Sequence, residues 1–366
     1  MSRPFGVAEP DRRTFLRFLA LGGLGLAAAC SDGEVSTVLT PTPSRATGTT
    51  KGAPPQAKPS WRRIGARGPS ARRDHSLTLV PEIEGDGLYV FGGRAGSESL
   101  GDLWRFDIGR ARWRRIDAAA PQARFGHNAV VLDGGLVIFG GQGSATTFFN
   151  DVWKYDPTSE TWSEMNPDGG VPVARYGAGA TVINTKMIVT HGFSAQGRFD
   201  DTWAFRGPAP GSGPRWTDQT PGGRHPIKRC LHRIAFLPQI DRVLLFGGQT
   251  DGTPFLGDTW LYADGSAGWK ELSGRAPAAR NLYAMAASQR EVYLFGGNAA
   301  GGPRNDVWRF DGDRWREVEV AGSKPAARGG VEGALVGTTD GVSLYVFAGN
   351  DGSDDLSDLW ELRIPA

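Results

Sequence analysis

"ARFGHNAVVLDGGLVIFGG", Ala123 to Gly141, holds two short apolar runs around the turn Asp133-Gly134-Gly135. Each run is too short for a helix, and Asp-Gly between two such runs is a tight-turn signal, so the stretch reads as a β-hairpin. The second run, Leu136 to Phe139, does not alternate apolar with polar residues, which places both of its faces in a core. It stops at the small pair Gly140-Gly141.

The same phrase recurs along the chain. Apolar runs with a small-residue stop begin at 88 ("LYVFGG"), 136 ("LVIFGG"), 187 ("MIVTHG"), 243 ("VLLFGG"), 292 ("VYLFGG") and 344 ("LYVFAG"). After each comes a polar, Gly-rich loop, and then an acid two residues before a tryptophan: Asp102/Trp104, Asp151/Trp153, Asp201/Trp203, Asp258/Trp260, Asp306/Trp308 and Asp358/Trp360. A second tryptophan follows in five units, at Trp113, Trp162, Trp216, Trp269 and Trp315. Ahead of each apolar run stands a phrase such as "PQAR", ending at Arg72, Arg124, Arg175, Arg229, Arg280 or Arg328.

Each unit therefore reads as four short strands: one after the Arg, the apolar run, one from the Asp-x-Trp, and one carrying the second Trp. Turn residues such as "DPTSET" at 156–161 separate the last two. A four-stranded antiparallel unit repeated at a period of about 50 residues is the plan of a radial β-propeller. A composition of 53 Gly, 24 Pro and 12 Trp with only 4 Met agrees with an all-β chain.

Taken together, P-x-A-R, F-G-G, N-D-V-W and the second Trp resemble kelch repeats over about residues 60–364. The departures are local: Thr190-His191-Gly192 and Ala348-Gly349 replace Phe-Gly-Gly or its Gly pair, and Lys228 precedes Arg229. The resemblance implies a six-bladed propeller. The sixth unit lacks a fourth strand with its Trp, and Trp61 in "SWRRI" stands alone ahead of the first P-x-A-R. The expectation is that this N-terminal strand completes the last blade and closes the ring.

The first residues carry a different message. Arg12-Arg13 precedes an apolar, Gly-rich run ending "LAAAC", which resembles a twin-arginine signal followed by a lipoprotein box with Cys30 as lipid acceptor; ordinary signal peptidase, acting on Ala27-Ala28-Ala29, would cut at the same bond without adding lipid. Residues 1–29 read as the signal, 30–59 as a Ser/Thr/Pro/Gly-rich flexible tether, and 60–364 as the propeller. The expected location is the bacterial cell envelope, periplasmic and membrane-anchored. Without residues 1–29 the chain has 37 basic and 37 acidic residues, so no net positive charge drives counterion release, and nucleic acid is excluded as a general partner. Cys230 is the only other cysteine and reads as a buried thiol.

Strand direction places the six arginines, the Gly pairs and the long loops at one mouth of the central channel. Two roles stand open for Arg72, Arg124, Arg175, Arg229, Arg280 and Arg328: pairing with the nearby Asp-x-Trp aspartates as scaffold, or bidentate capture of an anionic ligand. Phe148, Phe149 and Arg198 on the loops, with Phe199 and Phe255, are further contact candidates. His191 is the irregular residue at the mouth of the third unit. His75, His127 and His232 recur three residues after an Arg but not in every unit, so no metal site, cofactor or catalytic set is assigned.

The expected function is a monomeric binding or scaffolding module for an envelope protein or a glycan. The alternative is a carbohydrate-active enzyme, similar to exported sugar mutarotases of the kelch type, with Glu332 beside Arg328 as its acid and base.

Overall fold

The computed structural model describes residues 57–82, 85–265 and 268–366. The signal segment, Cys30 and nearly all of the tether lie outside these residues. Among the described residues there is no α-helix; a single 3-10 turn, Pro238–Ile240, interrupts the strands.

Six four-stranded antiparallel sheets form, each in the expected up-and-down order and numbered by repeat unit: sheet 1 (76–116), 2 (128–164), 3 (179–218), 4 (233–272), 5 (284–317) and 6 (332–365 with 60–64). Sheet 2 shows the logic. Its strands Asn128–Leu132, Gly135–Phe139, Val152–Asp156 and Thr161–Glu164 follow the chain. Asp133 and Gly134 both take positive φ in the first turn (50° and 73°), where Gly costs nothing and Asp little. Gly135–Phe139 is buried at every position, as its unbroken apolar run requires.

The sixth sheet is assembled from both ends of the described chain. Ser60–Ile64 pairs antiparallel with Asp355–Pro365, with Trp61 opposite Leu362 and Arg63 opposite Trp360. Trp61 is thereby placed as the second Trp of that sheet. It packs edge-on to Phe295 of sheet 5 with ring centroids 5.0 Å apart.

Six core clusters hold the sheets to one another. Leu132, Phe139, Val189, Phe205 and Trp216 join sheets 2 and 3, and the other clusters join 3 to 4, 4 to 5, 5 to 6, 6 to 1 and 1 to 2. The first strands also touch in that same cyclic order. Aromatic faces of this size dominate burial energetics, which explains how the fold holds without a disulfide among the described residues.

The structure differs from the sequence reading in the loops. In sheets 3, 4 and 6 the second and third strands run on past the small pair as long hairpins, such as Lys186–Ser194 with Gly197–Arg206. A register shift lies between Thr190 and Gly192, and similar shifts occur at Gly248 and Gly349. The bulge re-aims the strand, so the ladder resumes beyond it instead of ending.

Candidate functional site

All six motif arginines are buried to within about one per cent, and their hydrogen bonds explain why. Arg280 is representative: Nε donates to Ala278 O (2.9 Å), Nη1 to Gly296 O (2.9 Å) and Asp306 Oδ1 (2.7 Å), and Nη2 to Asp306 Oδ2 (2.8 Å). Asp306 Oδ2 also accepts from Trp308 Nε1 at 2.7 Å. The same set repeats at Arg72/Asp102, Arg124/Asp151, Arg175/Asp201, Arg229/Asp258 and Arg328/Asp358. Each guanidinium thus ties the entry to the first strand to the start of the third. None presents a free fork to a ligand, and an anion would have to displace a bidentate carboxylate.

The aspartates answer electrostatically. For Asp102, Asp201, Asp258, Asp306 and Asp358, burial works to raise the pKa, but the arginine's hydrogen bonds and charge outweigh it and hold each carboxyl below its ordinary range.

Two of the candidate aromatics also serve this scaffold. Phe149 lies under the Arg124 guanidinium at 4.1 Å and Phe199 under Arg175 at 4.3 Å. Each covers a cation face that would otherwise meet solvent.

Two residues past each arginine, the backbone does something the sequence reading did not foresee. Asp74, Gly126, Gly177, Leu231, Leu282 and Gly330 all have φ between 55° and 63°. Each N–H donates to the carbonyl of the counterpart in a neighbouring sheet: Asp74 to Gly330, Gly126 to Asp74, Gly177 to Gly126, Leu231 to Gly177, Leu282 to Leu231 and Gly330 to Leu282, at 2.7–3.2 Å. The sequence of bonds returns to the residue where it began. Three glycines among six equivalent positions were the available signal for a left-handed conformation.

Beyond this hydrogen-bonded girdle, the first strands enclose a cavity of about 200 Å³ lined by Ser76, His127, Asn128, Arg233 and Glu332. It widens toward the opposite hairpins into a space of about 1130 Å³, lined largely by apolar residues such as Leu79, Val131 and Phe236. Glu332 does not meet Arg328, which is occupied by Asp358. It pairs across the cavity with Arg233 of sheet 4. Burial pushes the Glu332 carboxyl up to about 7; Arg233 opposes this, and the negative charge of Asp74 adds to it.

Four of the five histidines, His75, His127, His191 and His232, are core residues. His75 and His127 sit edge-on to Phe347 and Phe91, each at 5.3 Å, in separate sheet interfaces. His191 is fully buried rather than facing the mouth. It occupies the left-handed position taken elsewhere by the first Gly of the pair, with φ of 59°. Its Nδ1 lies 2.5 Å from Thr190 Oγ1, its Nε2 donates to Pro226 O at 3.3 Å, and its ring meets His232 at 5.2 Å. Burial first, and then the Arg229 charge, lower its pKa to about 3, so it is neutral. No cluster of three or more metal-ligating side chains occurs among the described residues. Cys230 is a buried thiol.

The remaining candidates do converge. Phe148 lies 6.2 Å from Tyr176 and 6.1 Å from Phe193, and Tyr176 lies 6.1 Å from Phe125 and 5.7 Å from Phe193. Arg94 stacks over Phe125 at 4.8 Å, and Arg198 over Phe193 at 5.3 Å. All four aromatics are only half-buried. Sequence reasoning found Phe148 and Arg198 but missed Phe125, Tyr176 and Phe193, which follow an Arg or a Gly directly. Val171, Val173 and Ile227, the exposed large apolar residues of the described chain, lie in the connections entering sheets 3 and 4. Phe255, in the third strand of sheet 4 (Thr253–Ala263), is half-buried.

Comparison with known proteins agrees with the repeat. The KLHDC2/KLHL20/DRC7 Kelch-repeats domain matches residues 56–208 and 212–366. The chain is 28% identical over 283 residues to the Leucine-zipper-like transcriptional regulator 1 homolog of Drosophila melanogaster, covering 72% of this chain and 28% of the relative. It is likewise 28% identical over 295 residues to Leucine-zipper-like transcriptional regulator 1 of Homo sapiens, covering 74% and 34%. Tip elongation aberrant protein 1 of Schizosaccharomyces pombe is 30% identical over 212 residues, covering 55% and 18%. The chain thus spans about a third or less of the length of these relatives. With the repeat phrases, the four-stranded sheets and the domain match in agreement, the chain belongs to the kelch-repeat family.

Proposed function

We propose that this chain is a kelch-repeat protein-interaction module that binds its partner on the loop face, over the sector of sheets 1 to 3. The observation that carries this is the half-buried aromatic group Phe125, Phe148, Tyr176 and Phe193, flanked by Arg94 and Arg198. Aromatic and Arg side chains are the groups that dominate binding energy at protein interfaces. The repeated arginines are scaffold, so the variable loop residues remain as the source of specificity.

In this reading the six sheets are the blades of a closed propeller, and Ser60–Ile64 completes the last of them. The cyclic order of first-strand contacts, the core clusters and the returning hydrogen-bond sequence at the mouth support it. The module is exported by the twin-arginine route and held to the membrane through Cys30, which the Arg12-Arg13 and "LAAAC" phrases support.

Photocrosslinking tests the binding face. A benzophenone side chain at Phe148 captures the partner, and one at Arg290, on the opposite face, does not. Capture from position 290 alone would overturn the assignment.

A further inference from the structure

The outer strands carry the same repeat position with opposite charge in different sheets. Two residues after the second Trp, sheets 2 to 5 have an acid: Glu164, Asp218, Glu271 and Glu317. Sheets 6 and 1 have Arg63 and Arg115 there. The positions are equivalent in space, because each residue lies opposite the Trp of its Asp-x-Trp phrase, Glu271 opposite Trp260 and Arg115 opposite Trp104. In sheets 4 and 5 the acid has a structural task, since Glu271 and Glu317 pair with Arg224 and Arg275, which stack on Trp260 and Trp308. Arg63 and Arg115 are exposed and have no ion pair or hydrogen-bond partner among the described residues.

Their neighbours extend the same sign. Residues 57–71 hold four bases and no acid. The outer strand of sheet 1 reads "RWRRI", with Arg112 and Arg114 also exposed. Lys58, Arg62 and Arg114 are paired with Glu319, Glu361 and Glu160, whereas Arg63, Arg67, Arg112 and Arg115 are not. The two strands form one continuous edge: Ile64, Ala66 and Trp113 share a core cluster, and a Cβ on Gly68 would lie 2.4 Å from the Trp113 ring. Asp117 is an exposed acid just past the end of the sheet 1 strand.

We infer that this edge of sheets 6 and 1 is a docking surface for an anionic phospholipid membrane. Unpaired guanidinium groups along this edge suit phosphate headgroups, which they contact through paired N–H donors. The choice of a membrane over another polyanion rests on the reading of Cys30 as a lipid anchor. A random coil of 30 residues has a root-mean-square span of about 30 Å, and the strand Ser60–Ile64 lies on this edge. The tether would keep these arginines within reach of the bilayer.

The test uses the mature chain, residues 30–366, with Cys30→Ser, so that neither lipid nor the apolar signal contributes, and vesicles of phosphatidylcholine with or without a quarter phosphatidylglycerol. Cosedimentation is expected with the anionic vesicles only, and it is expected to fall steeply between 50 and about 300 mM salt. R63E/R115E is expected to weaken binding at least about thirtyfold, from roughly fivefold per arginine near an anionic surface. Its folding is checked by thermal melting, and four sheets already carry an acid at that position. R206E/R290E, with the same change in charge on exposed residues of sheets 3 and 5, is expected to bind as the parent does. Equal binding to neutral vesicles, an R63E/R115E variant that binds like the control, or retention on heparin or duplex DNA without vesicle binding would each overturn the inference. The anchor is tested separately by the mass of the mature protein, and an unmodified Cys30 would leave the vesicle result standing.

Discussion

Asp306→Asn removes the charge opposite Arg280 while keeping the shape of the side chain. Arg280 is almost wholly buried, and its remaining partners, Ala278 O and Gly296 O, are neutral. A buried guanidinium deprived of its carboxylate costs about 3–5 kcal/mol, a large share of the roughly 5–15 kcal/mol that holds a typical domain. At about 2 °C per kcal/mol for a unit of this size, the melting temperature falls by roughly 6–10 °C. The assay is thermal unfolding followed by tryptophan fluorescence, repeated across pH. Because Asp306 and four of its counterparts have folded pKa values below the ordinary carboxylate value, they bind fewer protons in the folded state. Their stabilisation is complete above about pH 4 and is lost as the pH falls through the folded values. The parent therefore loses stability in acid, and the variant has a shallower acid limb. A variant melting within about 2 °C of the parent, with the same acid limb, would refute the clamp.

Two further outcomes follow from the fold. Trp61→Ala removes a buried indole packed on Phe295 and weakens the strand that completes sheet 6, so it is expected to cost about 3–5 kcal/mol in urea unfolding and to promote association through the exposed strand edge. A cost below about 1 kcal/mol would contradict the closure reading. Glu332→Gln acts in the opposite pH sense to Asp306. Its carboxyl is raised to about 7 when folded, so its contribution is present below about pH 4.5 and lost as the pH rises through 7. Melting temperatures from pH 4 to 8 are expected to be flatter in the variant, and an unchanged profile would remove Glu332 from the titration. The same variant bears on the acid-base reading of the channel, which predicts sugar-anomer interconversion by the parent and its loss in Glu332→Gln.

Much of this architecture was legible because each repeat states it redundantly. The run at 136–139, the Gly pair at 140–141 and the acid and Trp at 151 and 153 fix the turn, the buried strand and the next strand in one unit, and the other units repeat the message. The scaffold role of the arginines was one of two open readings, since a motif shows that Arg and Asp are near but not which donors remain free. The girdle at Asp74, Gly126, Gly177, Leu231, Leu282 and Gly330 was hidden because non-glycine residues occupy half of its left-handed positions. His191 misled for the same reason: an irregular residue at a loop position was read as facing the mouth, whereas the left-handed backbone turns its ring into the interface with sheet 4. The aromatic group of sheets 2 and 3 was seen only in part, because Phe125, Tyr176 and Phe193 become neighbours only once the hairpins curl over the girdle.

Site-resolved crosslinking measures the central claim most directly. With benzophenone at position 148, 198 or 290 in otherwise identical chains, the account predicts one partner band from 148 and 198. That band should be absent from 290 and reduced at least about tenfold when Phe193→Ala is added, the scale of an interface hot spot. A band of equal strength from all three positions, or one unaffected by the loss of Phe193, would contradict it.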